Sequence, residues 1–138
     1  VPVGVADVKK EGSDVTILCW SKMVKMCLNA ARQLAENEQI DAEVIDLRTL
    51  RPLDDEAILQ SIAKTNRCVI VEEGWPWMGS GAQIADSIQR HAFDDLDAPV
   101  IRVTGRDVPM PYALSLEDVV MPTAARVKEA VLEVTYRG

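Results

Sequence analysis

Glu72 and Glu73 close an apolar run, Cys68 to Val71, at the mouth of a loop with glycines at 74, 79 and 81. Two adjacent carboxylates could divide acid and base work, but neighbours in an extended chain point to opposite faces. One of them is therefore expected to accept from backbone amides or to pair with Arg48 or Arg51, a structural or interface role. The glycine loop could in principle cradle a phosphate. A P-loop needs Lys-Ser or Lys-Thr straight after its second glycine, however, and Ser80-Gly81 follows Gly79. A dinucleotide fingerprint needs a third glycine where Ile84 stands. Close backbone packing is what this loop suits. Trp75 and Trp77, separated by Pro76, are aromatics of the kind enriched where protein surfaces meet. Glu72, Glu73, Gly74, Trp75, Trp77, Gly79 and Gly81 are thus read as a subunit interface, the alternative being tryptophans folded back onto their own domain.

Other sources of chemistry are few. His91, the single histidine, sits beside Arg90 at the polar end of a helix, without the convergent partners of a metal site or a triad. Cys19, Cys27 and Cys68 are odd in number, form no C-x-x-C pair and lie on apolar faces, as buried reduced thiols in a reducing compartment would. A phosphoacceptor domain would carry acidic residues after its first buried strand, whereas VTILCW ends in tryptophan and serine. Asp94, Asp95 and Asp97 gather where a helix ends, a place the helix dipole makes mildly unfavourable for negative charge. Such a knot is either a solvated face or a landing place for a cationic partner.

The elements that must hold these residues follow from periodicity. Strands are expected at Val3 to Lys9, Val15 to Trp20, Ala42 to Leu47, Arg67 to Glu72 and Val100 to Thr104. A helix capped by Ser21 turns Met23, Cys27, Ala30, Ala31 and Leu34 inward. Asp54 caps a second with Ile58, Leu59, Ile62 and Ala63 on its buried face, and its first turn carries Asp55 and Glu56. A third, opened by Ser80 or Gly81, buries Ile84, Ala85, Ile88 and Ala92. An irregular stretch from Gly105 to Met121 leads to a last helix near Pro122, with Ala124, Val127, Val131 and Val134 inward. Alternating strands and helices predict an α/β three-layer sandwich whose sheet is mostly parallel. The first strand, with no helix after it, is expected at an edge and antiparallel.

At 138 residues, 48% apolar and 27% charged, the chain has the composition of one soluble globular domain. Its net charge of −7 disfavours nucleic acid and anionic membranes and favours basic partners. No apolar run approaches the roughly 18 residues of a membrane span, and the first residues lack the basic-then-apolar order of a secretory leader.

Four blocks in order, AEVIDLRTLRPLD (42–54), VIVEEGWPWMGSGAQIA (69–85), LDAPVIRVTGRDVPMPYA (96–113) and MPTAARVKEAV (121–131), resemble the carboxy-terminal third of the beta subunit of 2-oxo acid dehydrogenases. The segment PMPYA (109–113) is most similar to the pyruvate dehydrogenase branch, with branched-chain, acetoin or transketolase-type relatives as alternatives. The resemblance covers essentially the whole chain. It implies that residues 1–138 are one transketolase C-terminal-like domain cut from a longer subunit, so residue 1 is not a natural start.

What the resemblance implies for chemistry is mostly negative. The complete enzyme uses thiamine diphosphate and magnesium, held between the missing amino-terminal domain and the alpha subunit. This chain is then expected to bind neither, to carry no catalytic or metal-binding residue and to turn nothing over alone. Its implied partners are the alpha subunit, a second beta subunit and the basic peripheral-subunit-binding domain of the dihydrolipoyl acyltransferase. Docking is implied at Asp97 of the LDAP motif, with Asp94 and Asp95 beside it, and at the tail Tyr136, Arg137 and Gly138, which departs from the family's common apolar ending. The implied compartment is bacterial cytoplasm or mitochondrial matrix. A free-standing small-ligand or nucleotide module built on the glycine loop is the rival reading.

Overall fold

The central strands are near-continuous apolar runs buried at every position, apolar side chains recur at helical spacing between them, and the chain folds accordingly. A computed structural model describes residues 5–20, 23–48, 54–72, 80–103 and 123–136. Within these, the order is β1 (Asp7–Lys10), β2 (Val15–Cys19), α1 (Met23–Asn37), β3 (Ala42–Asp46), α2 (Asp55–Thr65), β4 (Cys68–Val71), α3 (Ser80–Ala92), a 3-10 turn (Phe93–Asp95), β5 (Ile101–Val103) and α4 (Ala124–Val134). The sheet runs β1-β3-β2-β4-β5. β1 pairs antiparallel with β3 through a register shift between Val8 and Lys10, and the other pairings are parallel.

The two faces of the sheet carry separate cores. Val15, Ile17, Cys19, Val44, Val69 and Val71 meet α1 and α4 through Met23, Cys27, Ala30, Leu34, Val127 and Val131. Leu18, Ile45, Cys68 and Ile70 meet α2 and α3 through Ile58, Ile62, Ile84 and Ile88. After β3 the chain reverses direction across the sheet, so right-handed crossovers place α1 on one face and α2 and α3 on the other. The three layers and the antiparallel edge strand match the sequence reading.

Local chemistry fixes several boundaries. Asp54 caps α2, its Oδ1 accepting from Ala57 N at 3.1 Å, and its Oδ2 accepts from Ala6 N at 2.9 Å, tying down the chain before β1. Asn66 ends α2 in the left-handed region, where asparagine is tolerated, with its N–H on Ile62 O at 2.7 Å. Thr123, rather than Pro122, leads into α4, its Oγ1 accepting from Arg126 N. The Ser21 cap and the irregular stretch 105–121 lie outside the described residues.

One helix face departs from expectation. On α2, Ala63 is exposed and Leu59 only half-buried, while Ser61 and Thr65 are buried. The reason lies in the sheet beneath: at alternate positions β2 and β3 present Thr16 and Glu43 toward this helix. Thr16 Oγ1 bonds Ser61 Oγ at 2.6 Å and Thr65 Oγ1 at 2.7 Å. Glu43 accepts from Gly12 N at 3.2 Å, from Ser61 Oγ and from Lys64 Nζ. A buried carboxylate needs such partners, and α2 turns to supply them. Burial raises the Glu43 pKa, but Lys64, Ser61 and the Gly12 amide together outweigh it and hold the carboxyl below its ordinary 4.5.

Candidate functional site

The carboxyl end of β4 sits beside the point where the strand order reverses, the default ligand crevice of an open α/β sheet. Glu72 occupies it. Its carboxylate is 2% exposed, accepts from Gly81 N at 2.9 Å and pairs with Arg102 Nη2 of β5 at 2.7 Å. Glu72 thus takes the backbone-amide course that the sequence suggests, and its cation is Arg102. Arg48 instead lies 3.7 Å from Asp7, and Arg51 is outside the described residues. Gly81 is required by this arrangement, because a Cβ there would stand 2.8 Å from Glu72 Cδ and 3.2 Å from Arg102 Nε.

That geometry uses up the polar groups of the crevice's described part. The amide that a phosphate would seek at the head of α3 already donates to an internal carboxylate, whose charge repels a second anion. Arg102 Nε, buried and without a hydrogen-bond partner among the described residues, is a single donor. Among the described residues no three His, Cys, Asp or Glu side chains converge to hold a metal ion. Glu72 and Gly81 are thus engaged with each other and with Arg102, while residues 73–79 of the glycine loop lie outside the described residues. The thiols are equally quiet. A hydrogen bond with Cys27 and then burial push the Cys19 thiol up, and burial alone pushes Cys68 up, so both stay protonated.

The amino edge of the sheet is different. There the connection from α3 to β5, the start of β4 and the end of α4 meet. Asp94 and Asp95 stand exposed on the 3-10 turn, and Asp97 follows two residues on, also exposed. Asp97 is fixed through its backbone: its N–H bonds Asn66 O at 2.8 Å, and its carbonyl accepts from Tyr136 Oη at 2.7 Å. Asn66 Nδ2 also holds Asp95 O at 2.7 Å. Among the described residues the Asp97 side chain, 56% exposed, has only Arg67 for company, at 3.8 Å, beyond hydrogen-bond reach. Arg67 is itself anchored on Val134 O through Nε at 2.9 Å. Among the described residues, then, a carboxylate is held at the surface with its oxygens open.

Tyr136 and Asp97 were both singled out from sequence, and the fold brings them together across 39 positions. Phe93 was not singled out. It is 71% exposed and lines a shallow cleft of about 500 Å³ together with Gln89, Asp94, Leu96, Asp97 and Pro99. The signal was available, since the α3 stripe of Ile84, Ile88 and Ala92 does not include position 93. Glu73, Gly74, Trp75, Trp77, Gly79, Arg137 and Gly138 lie outside the described residues, so the interface reading of the tryptophans rests on sequence alone. His91 is exposed, as its sequence context suggests.

Comparison with known proteins converges on one family. The model described as "Transketolase, C-terminal domain" matches residues 4–127. The chain is 51% identical over 136 residues to the pyruvate dehydrogenase E1 component subunit beta of Rickettsia conorii, covering 99% of this chain and 41% of that protein. It is 51% identical over 138 residues to the mitochondrial subunit of the same name from Dictyostelium discoideum, covering 38% of it. The chain thus spans well under half the length of these relatives. Among solved structures, a split gene transketolase described as an inactive beta4 tetramer superposes with a TM-score of 0.83 at 32% identity, over 99% of this chain and 43% of that one. A 2-oxoglutarate:ferredoxin oxidoreductase, at a TM-score of 0.61 and 16% identity, shares the fold alone.

Proposed function

Because the chain belongs to the transketolase C-terminal domain family, we propose that it is the assembly and partner-docking domain of a pyruvate dehydrogenase beta subunit. The complete enzyme decarboxylates pyruvate and reductively acetylates a lipoyl group on the partner acyltransferase, in bacterial cytoplasm or mitochondrial matrix. Thiamine diphosphate and magnesium supply that chemistry elsewhere in the assembly. The part played here is to pack against the alpha subunit and a second beta subunit, and to present a landing place for the basic subunit-binding domain of the acyltransferase.

The observation that carries this reading is Asp97. Its backbone is clasped from Asn66 and Tyr136, and its carboxylate has no hydrogen bond among the described residues. A fixed, open carboxylate within an acidic chain draws a cationic partner and orients it on arrival. Arg67, at 3.8 Å and half-buried, competes weakly, since exposed ion pairs of this kind contribute little.

The test uses the assembled alpha–beta enzyme and the acyltransferase subunit-binding domain. Asp97→Asn should weaken binding about tenfold at low salt, which is about 1.4 kcal/mol, and should make the salt dependence shallower. Equal affinity and equal salt slope in wild type and variant would remove Asp97 from the docking site.

A further inference from the structure

Phe93 is the only phenylalanine in the chain, and the fold leaves it in water. Single exposed apolar residues are ordinary, but this one is not isolated. It shares a concave surface with half-buried Leu96 and with Ala98 and Pro99, and the exposed residues Asp94 and Asp97 line the same cleft. An apolar dent with negative charge on its rim matches one kind of ligand: a cationic segment with an aliphatic side chain between its charges. Acidic proteins, nucleic acid and anionic lipid are disfavoured by the same aspartates and by the net charge of −7.

We infer that the Phe93 cleft is the apolar anchor of the docking surface, receiving one aliphatic side chain of the basic subunit-binding domain. This rests on the docking reading above and adds a division of labour to it. Asp94 and Asp97 are exposed, so their pull acts over distance, falls with salt and belongs mainly to the rate of association. An apolar contact acts only once water is excluded, is insensitive to salt and belongs to the rate of dissociation. The backbone clasp on Asp97 keeps the charged rim in register with the cleft, so little ordering is left to occur on binding.

Association and dissociation rates of the subunit-binding domain on the complete alpha–beta enzyme, measured across a salt series, test this. Phe93→Ser should raise the dissociation rate about tenfold, leave the association rate within about twofold and leave the salt slope unaltered. Phe93→Leu should recover most of the loss, and the thermal midpoint of Phe93→Ser should stay at the wild-type value because the side chain is 71% exposed. If Asp97→Asn weakens binding while Phe93→Ser leaves dissociation unchanged, the anchor is refuted and the docking reading stands. If neither variant changes either rate, both fall. If Phe93→Ser alters the sedimentation of the enzyme and not its binding rates, the cleft is a contact between copies and the anchor is refuted.

Discussion

Glu43 and Glu72 lie beneath helices, and Asp94, Asp95 and Asp97 lie on the rim, and the two sets of carboxylates differ in what satisfies them. Glu43 has Gly12, Ser61 and Lys64; Glu72 has Gly81 and Arg102. Every one of those partners comes from this chain, so the buried pair is consumed by the fold. The aspartates show the opposite pattern. The backbone of Asp95 and Asp97 is tied down by Asn66 and Tyr136, while among the described residues the Asp97 side chain reaches only a distant arginine. In a sequence with 22 acidic residues, charge alone does not mark a site. Charge that is positioned but not internally satisfied does.

The largest effect should come from crowding the buried set. A Cβ on Gly12 would stand 2.6 Å from both Ala42 O and Glu43 N, backbone atoms that cannot move without parting β3 from its neighbours. Gly12→Ala is expected to cost about 3 kcal/mol or more, the upper end for overpacking. Gly81→Ala meets the Glu72 side chain instead and should cost less, because that side chain can shift if it gives up its amide. Urea midpoints would rank the two, and a milder Gly12→Ala would mean that the turn before β2 is looser than its contacts imply.

How much of this was legible in the sequence depended on which forces wrote each feature. The sheet and its layers were legible because apolar runs and stripes are long and repeated, as in the run VTILC and the five-residue stripe of α1. The inward face of α2 was not. Ser61 and Thr65 look like surface residues until β2 and β3 place Thr16 and Glu43 under them, a pairing between elements 45 and 18 residues apart in the chain. Asp97 could be singled out through the resemblance of its motif, but the Asn66 and Tyr136 clasp that fixes it is tertiary. The Arg102 partner of Glu72 was missed for the same reason, since nothing local links β4 to β5.

A smaller effect separates the two sets by pH. The Glu43 carboxyl lies below its ordinary 4.5 in the folded chain, since its partners outweigh its burial. A depressed carboxylate contributes stability above the unfolded pKa and loses it as pH falls through the folded one. Wild type should therefore lose stability on acidification below about 4.5. Glu43→Gln should be less stable at neutral pH by about 1–3 kcal/mol, the cost of a poorly satisfied buried group, and should show a flatter acid limb. Denaturation from pH 3 to 7 would reveal it. An acid limb unchanged in the variant would assign the pH dependence to other carboxylates, such as Asp41, which Lys10 lowers.

The smallest effect belongs to the rim. Asp94 and Asp95 follow the carboxyl end of α3, where the helix dipole and their mutual repulsion both disfavour negative charge. Asp94→Asn with Asp95→Asn keeps side-chain size and leaves the bond from Asn66 Nδ2 to the Asp95 carbonyl in place. Stability should then stay within about 0.5 kcal/mol of wild type or rise slightly. The association rate of a basic partner should fall a few-fold at low salt and converge on wild type as screening increases. A double variant that instead unfolded more readily would show these aspartates holding the fold together like Glu43, and the acidic rim would no longer stand apart as surface kept for a partner.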